Sequence, residues 1–281
     1  MNSIKNEIIL ILYIIRKRIV RIESIICIVL SGITILKASV SYLLYSNGHT
    51  VNIFEGYVQA MSGEENLMII IICAILLFAD APFINDNSFL IVYRLKRKKW
   101  YALNWIYMVV VTMLYMVYLI VLSLIPFIFK GYLDNRWSQS MLRIMNGYNE
   151  KMMHYNINPI DGIYRNMSPI GVTFYTAILC AGYILILVSV LYILNMIYTY
   201  KPLGTLVVGG IHLISTLINM LGILTPQLIQ RFSLYRSAFF LLGYDANLSS
   251  GLFSILYFSL LIYIIYLVGL LLLPKADIYL S

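Results

Sequence analysis

Apolar residues gather into six long runs separated by short polar stretches: about Ile22 to Tyr45, Leu67 to Ile84, Tyr101 to Phe129, Gly171 to Tyr198, Leu203 to Leu224 and Leu252 to Leu273. Each run is close to or longer than the ~20 residues that an α-helix needs to cross a ~30 Å hydrocarbon core. The pattern predicts an all-α polytopic membrane protein with six transmembrane helices, organised as a single transmembrane domain over residues 1–281.

Three further stretches repeat at helical spacing without being long enough to span. Ile8, Leu12, Ile15 and Ile19 run into a basic cluster and predict a helix lying along the membrane surface over residues 1–21. Trp137, Met141, Ile144 and Tyr148 predict a short interfacial helix in the connection between spans three and four. Leu228, Phe232, Tyr235, Phe239 and Leu242, bracketed by Pro226 and Gly243, predict a re-entrant or interfacial segment before the last span.

Composition sharpens this picture by exclusion. The chain is 61% hydrophobic and 11% charged, against roughly 25% charged in an average soluble domain. With a mean hydropathy of +0.86, a water-soluble globule is excluded. The longest stretch suited to water, about Lys130 to Ser168, is too short for a domain of ordinary size. Any motor or catalytic domain is therefore expected on another chain. Cys27, Cys73 and Cys180 lie far apart inside apolar runs, without zinc or disulfide spacing.

The net charge of +8 does not point to nucleic acid, because the basic residues cluster at span ends. Arg16 to Arg18, Arg21 and the Arg94 to Lys99 region lie on the same side when both termini are cytoplasmic, so that topology is expected. The apolar stretch Ile8 to Ile15 is followed by Arg16-Lys17-Arg18 and not by a small-residue cleavage site, so the N-terminus is expected to be retained. Heavy use of Ile, Tyr, Asn and Lys favours a bacterial cell membrane.

The chain contains no GxxxxGK[ST] phosphate loop, and Glu64, Glu65, His154 and His212 fall into no catalytic spacing. An enzyme is not expected, nor a cofactor bound by this chain. Polar residues within spans carry the remaining signal. Lys37 lies about 22 Å along span one, from where its amine can snorkel to the outer interface. Asp80, Asn104 and Asn195, near inner span ends, are expected to serve packing or caps.

In span five, His212, Ser215, Thr216 and Asn219 share one face near the bilayer midplane. Two readings stand: interhelical hydrogen bonds, worth ~0.6 kcal/mol each on average, or a face lining a pathway or subunit seam. The inner connection between spans two and three combines Asp80-Ala81-Pro82-Phe83-Ile84, the candidate caps Asn85 to Ser88, and the basic run that ends at Trp100. A topogenic loop needs only the charges. The cap cluster, the apolar segment and the aromatic at re-entry favour a partner-docking element.

The order of surface helix, six spans, basic inner loop and dipping segment resembles the membrane subunits of ABC-2-type transporters. Asp80-x-Pro82-Phe83 followed by Arg94-x-x-Arg97-x-x-Trp100 is similar to the inner loop of permeases of bacterial peptide-antibiotic and cytolytic-peptide exporters, as is Ser168-Pro169 before span four. Lys96 to Lys99 departs from that pattern, in which a small residue is expected. The resemblance implies two permeases, identical or homologous, with two ABC ATPase subunits that bind ATP and Mg. Pro82, Phe83, Ile84, Arg94, Arg97 and Trp100 would seat in the ATPase, and spans one, two and five would face the other permease. It also implies a peptide, drug or lipid-like cargo. Two other classes remain open on the residues alone: a non-transporting scaffold or sensor subunit, and a secondary transporter, although no inverted repeat is visible.

Overall fold

A computed structural model describes residues 21–81, 97–147, 150–160, 162–198, 202–221, 233–239, 241 and 248–273. The expected surface helix before Arg21, the positions Pro82, Phe83, Ile84 and Arg94, and Tyr148, Leu228, Phe232 and Leu242 lie outside the described residues.

The described chain is mostly helical. Five helices are long and apolar enough to cross a membrane: α1 (Ile22–Tyr45), α4 (Arg97–Leu124, continued by a 3-10 turn to Phe127), α7 (Pro169–Ile197), α8 (Pro202–Met220) and α10 (Leu248–Leu272). A sixth crossing exists if α2 (Glu55–Met61) and α3 (Glu64–Leu77) are taken as one bent span. The remaining elements are the two-residue strands β1 (Val51–Asn52) and β2 (Gly131–Tyr132), the short helices α5 (Gln139–Met145), α6 (Glu150–Tyr155) and α9 (Leu234–Ala238), and a 3-10 helix over Gly162–Asn166.

The second predicted span needs correction. In place of a span from Leu67 to Ile84, α3 opens with Glu64 and Glu65 and ends at Leu77, and α2, just before it, meets it at 87°. With 14 residues, α3 is about 21 Å long, short of a ~30 Å core. Such a break is tolerable only where protein covers it, because bare backbone in lipid loses its hydrogen bonds. That condition is met: α3 packs on α1, α7 and α8, while all seven residues of α2 are buried.

The most enclosed helix is α7, which touches α2, α3, α4, α8, α9 and α10. Its start follows from local chemistry. Ser168 accepts the Gly171 N–H at 3.1 Å, and Pro169 occupies a first-turn position where no N–H is needed. Around this axis, α1 and α8 both pack on α3, so spans one, two and five form one side of the bundle. At Gly269 of α10, a Cβ would collide with the Tyr101 hydroxyl of α4, and the bare backbone there accommodates Tyr101.

The two ends of the bundle differ. One carries the roots of the 82–96 connection together with Arg21, Arg97, Lys98 and Lys99, and is called here the basic end. At the other, the ribbon end, β1 pairs in parallel with β2, Val51 opposite Gly131 and Asn52 opposite Tyr132. The chain leaves α1 through Asn47 (φ 51°) and Gly48 (φ 87°), left-handed positions suited to those residue types. The helix expected around Met141 and Ile144 is α5, but both side chains are fully buried against protein, so it serves as part of a cap on the bundle.

Candidate functional site

At the basic end, the two roots of the 82–96 connection rest on one helix. The amide of Asn195, near the end of α7, donates to the Ala79 carbonyl at 3.0 Å and to the Ala81 carbonyl at 2.7 Å. These carbonyls lie beyond Leu77, the last residue of α3, so Asn195 holds the chain just after it leaves that helix. Its Oδ1 lies against Gly204 of α8, where any larger residue would displace it.

The returning root is held by aromatic packing. Arg97, Lys98 and Lys99 are exposed, and Trp100 turns inward to only 6% exposure. Its ring lies 6.4 Å from that of Tyr192 on α7, and Tyr101 lies 5.8 Å from the same ring. Tyr101 also packs its ring 5.3 Å from that of Tyr266 and donates to the Tyr266 carbonyl at 3.0 Å, which ties α10 to the cluster. Arg21 at the start of α1 pairs with Asp80 beyond α3. Both side chains are substantially exposed, so that pair links the elements with little energy of its own.

The span-five stripe divides in the structure. His212 and Thr216 are fully buried, whereas Ser215 and Asn219 are half-buried. Tyr183 of α7 meets His212 Nδ1 at 3.1 Å, and the rings of Tyr183, His212, Tyr235 and Phe239 form one cluster between α7, α8 and α9. Thr216 donates to the His212 carbonyl at 2.9 Å, and Ser215 to the Ile211 carbonyl at 2.8 Å. Asn219 receives Arg236 Nε at 3.0 Å, which fastens the segment before the last span to α8. The described part of that segment buries Tyr235, Ala238, Phe239 and Leu241.

The ribbon end contains a charged centre that the hydropathy pattern did not disclose. Glu55, at 0% exposure, accepts the Ser138 N–H on Oε1 at 2.6 Å. Its Oε2 accepts the Tyr42 hydroxyl at 2.7 Å and the Asn52 N–H at 3.1 Å. Burying a carboxylate is costly unless donors replace water, and here three do so. Ser138 also caps α5 by accepting the Met141 N–H at 3.1 Å. One carboxylate therefore joins α1, β1, α2 and the start of α5. The local signal was Asn52-x-x-Glu55, an acid reaching back three residues to a backbone N–H as in a capping box.

Among the described residues, no group of His, Cys, Asp or Glu could hold a metal ion. Arg97 and Trp100 thus sit at one root of the basic-end connection, while His212, Ser215, Thr216 and Asn219 lie on a different helix facing α7 and α9. No protein-family model, curated protein or solved structure matches the chain.

Proposed function

We propose that this chain is the membrane-spanning permease subunit of an ATP-driven exporter of the ABC-2 type. In this reading it couples to a separate ATPase through the connection between spans two and three. The observation that carries the reading is the common support of that connection: Asn195 holds its departing root, and Tyr192, one turn earlier on α7, packs against its returning root. A force applied to the connection reaches the most enclosed helix of the bundle directly. A connection needed only for topology has no use for such support.

Two further features agree with the reading. Exposed Arg97, Lys98 and Lys99 offer charge to a partner on the basic end, which the positive-inside rule assigns to the cytoplasm. The side formed by α1, α3 and α8 bears exposed apolar residues, including Ile33, Leu206 and Leu217, that a second permease copy or lipid would cover. The two packings between which ATP binding switches the subunit would differ at that side. The cargo would be a peptide, drug or lipid-like molecule, and the setting a bacterial cell membrane with both termini cytoplasmic.

The test is purification of the tagged protein from its native membrane in mild detergent, with stoichiometric companions identified by mass spectrometry. An ATPase companion is expected with the wild type and is expected to be lost when Arg94 and Arg97 are both changed to Glu. Absence of any ATPase, including after crosslinking, overturns the proposal.

A further inference from the structure

Two cysteines that lie far apart in the sequence meet in the fold. Cys27 stands on the inward stripe of α1 with Ser24 and Ser31, and Cys73 on the buried face of α3, one turn before that helix ends at Leu77. Arg21, just before α1, pairs with Asp80, beyond the end of α3, which sets the two helices in antiparallel register. About 9 Å along α1 from Arg21, that register brings Cys27 opposite Cys73. There the two thiols share a hydrogen bond, and the Cys73 sulfur also lies against the Ser31 backbone, one turn further along α1. Both thiols are free and enclosed, Cys27 at 4% exposure and Cys73 at 1%.

This contact meets the demands of a disulfide. Helices packed 8–10 Å apart bring facing Cα atoms to roughly 4–6 Å, the span that such a bond needs. Two sulfurs already held together make the bond-forming step intramolecular, which in favourable geometries equals raising one reactant to about 10⁵ M or more. The apolar surroundings shut out bulky, charged oxidants. Hydrogen peroxide is small and uncharged, so it is the class of oxidant that suits the site.

We infer that Cys27 and Cys73 form a peroxide-sensitive clamp between spans one and two. The Cys27 sulfur, the more exposed of the two, attacks a peroxide oxygen. The O–O bond breaks, the released hydroxide leaves as water with the Cys27 thiol proton, and Cys27 becomes a sulfenic acid. The Cys73 sulfur then attacks the Cys27 sulfur, the S–O bond breaks, and the departing hydroxide takes the Cys73 thiol proton as a second water. Two thiols are oxidised to one disulfide, and one peroxide is reduced to two waters. The new bond ties α1 to the helix that leads into the 82–96 connection. Its formation requires no ATPase and stands apart from the transporter reading.

The test is hydrogen peroxide treatment of the purified full-length protein, followed by denaturation, N-ethylmaleimide labelling and mass spectrometry of the intact chain and its peptides. The wild type is expected to fall from three labelled thiols to one, with a peptide joining Cys27 to Cys73 that dithiothreitol releases. Cross-linking is expected to be at least about tenfold faster in the folded protein than in dodecyl-sulfate-denatured protein. The oxidised protein is expected to unfold at a higher temperature than the reduced one. Cys27→Ser and Cys73→Ser are each expected to lose both the cross-link and that shift, and Cys180→Ser to keep both. Three labelled thiols after treatment, sulfinic acid on Cys27 without a cross-link, a cross-link that includes Cys180, or equal rates in folded and denatured protein each overturn the inference, and none of these needs a variant to fold. A cross-link that leaves the unfolding temperature unchanged overturns the clamp.

Discussion

Asn195 donates to the Ala81 carbonyl at 2.7 Å across 114 residues of chain, and so ties the segment that leaves α3 to α7. Because the same amide also holds the Ala79 carbonyl, Asn195→Leu leaves two acceptors without their donor. A loss of about 1–2 kcal/mol is expected, read as a lower unfolding midpoint in detergent. Asn195→Asp is expected to destabilise more, since it turns a carboxylate toward two carbonyl oxygens. Equal midpoints for wild type and both variants would remove Asn195 from the support of the connection.

The Glu55 centre predicts non-additive losses. Glu55→Ala strands the Ser138 and Asn52 N–H groups and is expected to cost about 2–4 kcal/mol. Tyr42→Phe removes a single donor and is expected to cost about 1 kcal/mol. The double variant should be more stable than the sum of the two losses implies, because both remove the same hydrogen bond. Thermal unfolding of the four proteins completes the cycle, and strict additivity would refute the coupling.

His212 and Tyr183 share a buried hydrogen bond. His212→Leu alone leaves the Tyr183 hydroxyl without this partner, whereas replacing both, with Tyr183→Phe, removes the demand. The double variant is expected to regain much of the ~1 kcal/mol lost by His212→Leu. Failure to regain stability would assign the loss to packing. If transport is measurable, unchanged transport by an intact His212→Leu assembly rejects a pathway role for this residue.

Gly269→Ala would drive a methyl group into the Tyr101 hydroxyl. Overpacking of this kind costs about 1–3 kcal/mol. Adding Tyr101→Phe takes away the oxygen but leaves the ring, so partial rescue is expected, and a second variant as unstable as the first would show that the ring and not the hydroxyl sets the approach.

The sequence by itself determined where most spans lie. Observed α1, Ile22–Tyr45, coincides with its predicted run, and α7 and α10 start and stop within a few residues of theirs. The reason is physical: lipid contact demands an unbroken apolar stretch, and that demand is local. Ser168-Pro169 marked the start of α7 for an equally local reason. The bend between α2 and α3 was not legible, because hydropathy registers the apolar character of the segment and not the direction of its axis. The Glu55 centre was visible only as Asn52-x-x-Glu55, since Ser138 lies 83 residues away. Tertiary structure alone decided those relationships, because the energy of a buried polar group depends on partners that the neighbouring sequence does not contain.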